Sequence, residues 1–250
     1  MTRIHRREIV LAIAVSALLG VQFFLPRLSQ EQAYHQFADT RTLWGVANAM
    51  NTLSNLAFIV AGGAGLALMR KQSGSGQHAT SARSAMTTLF FLGLVATGAG
   101  SAWYHVQAMP NDTALAFDRS GMVLAFAGVL GLAAADRVSG EAGWVLGVVA
   151  LLAGPLAIWW WVRSGDLAPY ATLQFGGILT LVLILFWRGQ SAGPNWGMLL
   201  ACYALAKVLE TADAQVWALT VHTISGHTLK HLAAACAGIA VIVPLMRARP

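Results

Sequence analysis

GAGSAWYHVQAMPNDTALAFDRSGM, residues 98–122, reads as the end of an apolar helix, a short polar turn and the start of another apolar helix. It carries Ser101 and His105 on one side of the turn and Asp118 on the other. On a helix a spacing of four puts two side chains on one face, about one turn apart, so Ser101 and His105 share a face. A second stretch, SGHTLKHLAAA at 225–235, places His227 and His231 at the same spacing. Two imidazoles so arranged can grip one metal ion, and His105 supplies a third if the two stretches meet in space. Three neutral imidazoles with a water form the ligand set of a catalytic zinc that keeps one position open.

Composition decides the surroundings of those stretches. Of the 250 residues 57% are hydrophobic and only 10% charged, against about 25% charged in soluble domains, which excludes a water-soluble globule. The two cysteines, Cys202 and Cys236, both sit inside apolar runs. They are read as small packing residues and not as a disulfide framework or metal ligands. The net charge of +6 comes from basic residues scattered between apolar segments. No basic stripe forms, so nucleic acid is not an expected partner.

Working outward, the chain opens on MTRIHRRE and an apolar run, IVLAIAVSALLGVQFFLP, of 18 residues. With no small-residue cleavage site before the next polar segment, the run is read as a retained membrane helix and not a signal peptide. A polar and aromatic segment follows, and further apolar runs begin at 46–69, 84–105, 114–135, 142–162, 169–187, 195–217 and 224–246. Each is near the 20 residues or so that cross a bilayer, giving eight helices. The expected organisation is an N-terminal membrane helix over 1–27, a non-cytoplasmic connecting segment over 28–47 and a seven-helix core over 48–250. SGSGQ at 73–77 reads as a solvated cytoplasmic loop, and Trp159, Trp160 and Trp161 with Arg163 as an interface anchor.

The distribution of Lys and Arg tests this count. With the N-terminus cytoplasmic, ten of the sixteen fall on that side: Arg3, Arg6, Arg7, Arg70, Lys71, Arg83, Arg137, Arg188, Arg247 and Arg249. Arg27, Arg41 and Arg163 fall opposite, while Arg119, Lys207 and Lys230 lie in or at the ends of helices. Eight spans with both termini cytoplasmic satisfy the bias. They also bring His105, Asp118 and His227 to one depth, on the non-cytoplasmic side.

Each of these residues has a plainer structural reading. His105 alone could bond a neighbouring helix. Ser101 beside Gly98 and Gly100 could be a packing residue, and Asp118 could pair with the adjacent Arg119. Together at one depth, a serine, three histidines and an aspartate point to a site.

The pattern SxxxH (Ser101 to His105), Asp118 in a DxxxM context, the late HxxxH (His227 to His231) and NTLSNLAF at 51–58 resembles the alkaline ceramidase family. These are integral membrane hydrolases of a wider seven-helix superfamily that includes the adiponectin-receptor-like group. The resemblance covers residues 39–246, nearly all that follows the first helix. It implies that His105, His227 and His231 hold zinc, that Asp118 orients or deprotonates the water, and that Ser101 supports the site and the oxyanion. Animal members also bind calcium just before the NTLSN helix. Asp39 and Asn48 fall on two of those positions, but the surrounding acids are missing, so calcium is left out of the expected cofactors. Asn51, Ser54 and Asn55 are expected to join helices or to line the cavity wall.

Lys207, Glu210 and Asp213 follow at spacings of three and can form an intramembrane ion-pair network, with Arg119 or Lys230 as further members. A structural network and recognition of a lipid's polar head are both open readings of it. The expected activity is zinc-dependent hydrolysis of a ceramide-like N-acyl lipid that reaches the site from the bilayer. The compact chain and basic start suggest a bacterial inner membrane. Two other classes stay open: a receptor-like, lipid-sensing protein in which Asp118 closes the metal site as a fourth ligand, and a transporter with a proton relay through the buried acids.

Overall fold

The computed structural model describes residues 5–73, 81–189 and 193–247. The expected loop SGSGQ falls outside them from residue 74 onward, as do Arg3 and Arg249. Among the described residues there is no strand: the chain folds as α1 (Arg6–Val21), α2 (Ala49–Leu53), α3 (Leu56–Ser73), α4 (Ala82–Val106), α5 (Asp112–Arg137), α6 (Gly140–Ser164), α7 (Ala168–Leu185), α8 (Trp196–Thr211), α9 (Asp213–Leu219), α10 (Gly226–Ala235) and α11 (Ala237–Arg247). Among the described residues seven helical stretches are long and apolar enough to cross a membrane: Arg6–Phe24, Ala49–Gln72, Ala82–Val106, Asp112–Arg137, Gly140–Ser164, Ala168–Leu185 and Gly226–Arg247. The seventh expected helix, 195–217, does not meet that measure. It breaks at Ala212, and its longer piece, α8, has 16 residues and carries Lys207 and Glu210.

Helix starts follow from local chemistry. The first backbone N–H groups of a helix lack partners within it, and Ser or Asn side chains supply them. Asn111 accepts from the Ala114 N–H at 2.9 Å, Ser139 from Ala142 at 3.0 Å and Ser225 from Thr228 at 3.1 Å. The caps on α5 and α10 matter most, because they fix where the turns before Asp118 and His227 end.

The tightest packing is between α4 and α5. A Cβ on Gly93 would lie 2.2 Å from the Ala125 nitrogen, one on Gly121 2.3 Å from Thr97, and one on Gly128 2.3 Å from Phe90. Only glycine permits that backbone approach, the device small residues serve in membrane bundles. It brings the Ser101 face of α4 against the Asp118 face of α5.

Around this pair pack α3, α6, α7, α10 and α11, enclosing a core that includes Phe90, Phe91, Leu94, Leu130, Leu181 and Val241. The outside is apolar as well: Val145, Leu152, Leu156 and Leu179 are 62–65% exposed, as expected of a hydrocarbon-facing belt. α1 packs on the outside against α7, with Leu18 touching Gly176. At one end of the bundle the buried carboxylate of Asp136 is held by Arg83, by Arg137 at 3.1 Å and by the Trp196 indole at 3.1 Å.

The tryptophan triplet divides, correcting its reading as a single anchor. Trp159 and Trp160 are exposed, but Trp161 is buried, and the Arg119 guanidinium stacks 4.2 Å from its ring.

Candidate metal centre

His105 ends α4, and His227 and His231 lie on the first turns of α10; all three are buried. Their ligand atoms lie within 4.8 Å of one another, a group that could hold a metal ion. The Nε2 atoms of His105 and His227 are 3.2 Å apart. Four ligands about 2.05 Å from a tetrahedral zinc are spaced about 3.3 Å from each other, so this pair already matches one edge of such a shell. The rings are inclined to one another by 60–89°, with centroids 4.9–5.1 Å apart. Asp118 and Ser101 are buried on the facing helices and line one cavity with His231. Asp118 is not one of the clustered ligand atoms among the described residues.

Side chains around the triad fix its orientation. Ser54, at the break between α2 and α3, bonds His231 Nδ1 at 2.8 Å and so turns the other ring nitrogen toward the cluster. Asp213 accepts from the His227 backbone N–H at 2.7 Å, tying the start of α10 to the start of α9. Gly226 allows that approach, since a Cβ there would be 2.3 Å from the Leu209 carbonyl. Asn48 donates to the His105 carbonyl at 2.8 Å. Of the expected helix-joining residues, Asn51 donates to the Asp39 carbonyl at 3.1 Å and accepts from Thr228 at 2.7 Å, and Asn55 bonds within its own chain turn.

The connecting segment does more than join helices. Residues 28–47 fold across the end of the bundle, and the Phe37 ring lies 4.7 Å from that of His105 and 4.6 Å from that of His227. His35, buried beneath, bridges the Tyr104 hydroxyl at 2.9 Å and Asp112 at 3.2 Å. The segment is fastened by Asp213 to the Ala38 N–H at 2.9 Å and by Asp166 to the Leu28 N–H at 3.0 Å. Burial pushes the Tyr34 phenol far above its usual range. Ser54 joins helices as expected, through His231, whereas Phe37 and the His35 bridge are members of the site that the sequence reading missed. Their only signal was aromatic residues in a segment otherwise polar. Asp39 is held by Arg41 at 2.7 Å, and Asn48 is engaged as above.

The charged residues of α8 and α9 sort differently from expectation. Glu210 bridges Lys207 and, at 2.6 Å, Lys230 of α10. Asp213 stands outside that network and serves the backbone of His227 and Ala38. Arg119 also stands outside it, and no ion pair joins Arg119 to Asp118 among the described residues.

Beside the triad opens a cavity of about 310 Å³. Ser101, Asp118, Arg119, Lys230 and His231 line its polar part, and Phe90, Val129, Leu181 and Leu199 its apolar part. Phe90 precedes Ser101 by eleven residues on α4, about 16 Å along a helix axis, so the apolar part reaches deep between the helices. No protein-family model matches this chain, and no curated protein matches it either.

Proposed function

We propose that this protein is an intramembrane zinc-dependent amide hydrolase that acts on ceramide-like N-acyl lipids and releases a fatty acid and an amine. The observation that carries the reading is the convergence of three buried imidazoles beside Asp118 and Ser101 at the polar end of a deep apolar cavity. The same residues carry the resemblance to the alkaline ceramidase family. In this reading the chain crosses the membrane eight times, a first helix followed by a seven-helix core, with both termini cytoplasmic. The histidines then lie toward the non-cytoplasmic side of a bacterial inner membrane.

His105, His227 and His231 hold the ion through ring nitrogens. When bound there, zinc supplies Lewis acidity, polarising a carbonyl and making water a nucleophile at neutral pH. Asp118 takes the proton from the attacking water and later gives it to the leaving amine, the two halves of general acid–base work. Ser101 supports the site and donates its hydroxyl toward the oxygen on which negative charge develops. Ser101 is not the nucleophile here, since the neighbouring imidazoles that could activate it are committed to the ion. Phe37 and the residues around it keep bulk water from the triad, which strengthens every charge interaction beneath them.

That Asp118 stands outside the three-histidine group favours an enzyme over a receptor-like protein whose site Asp118 would close. The substrate class follows from the cavity: an acyl chain fills the apolar part and places an amide at the headgroup-level polar end. The test is release of fatty acid from N-acyl sphingosine by purified protein in detergent. Activity lost in His231→Ala and Asp118→Asn, both still folded, is expected; activity retained in either variant contradicts the reading.

A further inference from the structure

Arg119 is 4% exposed, yet no carboxylate pairs with it among the described residues. Its guanidinium donates to the Gln30 side-chain oxygen Oε1 and lies over the rings of Trp161, Tyr170 and Tyr34 at 4.2, 4.8 and 5.7 Å. Its Nη1 has no hydrogen-bond partner. Aromatic faces offset part of the cost of burying a cation, but a buried guanidinium N–H left unpaired is expensive. Such a group keeps its place when something outside the chain completes it.

What completes it is indicated by its surroundings. Arg119 lines the cavity, together with Lys207, Lys230, Asp118 and Glu210. Glu210 is shared by both lysines, so three cations face two carboxylates there. A cavity with excess positive charge and low dielectric walls attracts an anion. A guanidinium with an open N–H is also the side chain best suited to hold a carboxylate or phosphate through paired bonds.

We propose that Arg119 recognises an oxyanion, a carboxylate or phosphate, on the lipid that occupies the cavity. Among N-acyl lipids the cavity then prefers one with an anionic group beside the amide, and it holds a neutral one such as N-acyl sphingosine more weakly. The inference rests on the lipid half of the reading above and uses no property of the metal.

Binding to metal-free protein therefore tests it separately. Chelator-treated protein in detergent is titrated with N-palmitoylglycine, N-palmitoylethanolamine and palmitate, with bound lipid counted by native mass spectrometry. Wild type should hold the acidic amide about tenfold more tightly than the neutral one, the scale of a charge-assisted bond. Arg119→Gln should lose that preference while holding the neutral amide as before, and Arg119→Lys should recover it in part. Dependence on Arg119 for palmitate as well as for the acidic amide supports the subsite and shows that it also accepts the anion of a released acid. Equal binding of acidic and neutral amides by wild type overturns the proposal without any variant. A preference that survives in Arg119→Gln overturns it too and leaves Arg119 as a packing residue. His231→Ala should keep the preference, so loss of amidase activity and loss of anion recognition are read apart.

Discussion

Ser54 Oγ and His231 Nδ1 lie 2.8 Å apart, joining the break between α2 and α3 to the first turns of α10. The contact fixes which ring nitrogen His231 turns to the cluster. Such outer partners typically change metal affinity by about 10–100-fold when removed. Ser54→Ala should therefore lower metal affinity by that factor with the fold retained, measured by competition with a chromophoric chelator. An unchanged affinity would mean that packing alone sets the ring.

Phe37 covers His105 and His227, and its truncation should open the site from above. Phe37→Ala is expected to destabilise by about 3 kcal/mol, as for a buried aromatic. It should also speed removal of bound metal by chelator. Thermal unfolding in detergent and the rate of metal loss check the two effects separately.

Gly121 lets α5 approach α4 where Ser101 and Asp118 face each other. A side chain there must push the helices apart, at a cost of about 1–3 kcal/mol. Gly121→Ala should lower the melting temperature and the hydrolytic rate together. Gly63 faces open space on α3, and Gly63→Ala should change neither.

Asp166 ties Leu28 and Ala168 together outside the membrane. Burial raises its carboxyl, but the N–H groups of Ala168 and Leu28, the Trp160 indole and Arg27 outweigh this and hold it below the usual range. A lowered carboxyl in the folded state stabilises above its unfolded value and loses that contribution as pH falls through the folded one. The melting temperature should therefore fall below about pH 4. Asp166→Asn should be less stable at neutral pH and lack that part of the acid response.

The triad was legible because two histidines four apart on a helix announce a shared face, and because helix sidedness put His105 at their depth. Helix positions were legible from apolar length, to within a few residues of the observed ends. The reading of 195–217 as one span failed at Ala212, where apolar length gives no sign that the helix restarts with a new first turn at Asp213. The segment over the site was not legible, because its contacts are made with residues remote in the chain and it has no periodicity to reveal them. The same reason hides the pairing of Lys230 with Glu210 across two helices, and the inward turn of Trp161 beside two exposed tryptophans.

Metal content tests the central claim most directly. Purified protein in detergent, analysed by elemental mass spectrometry, should carry one zinc per chain, and His227→Ala and His231→Ala should each carry none while remaining folded. Folded wild-type protein that takes up no zinc would contradict the account and leave the histidines as packing residues.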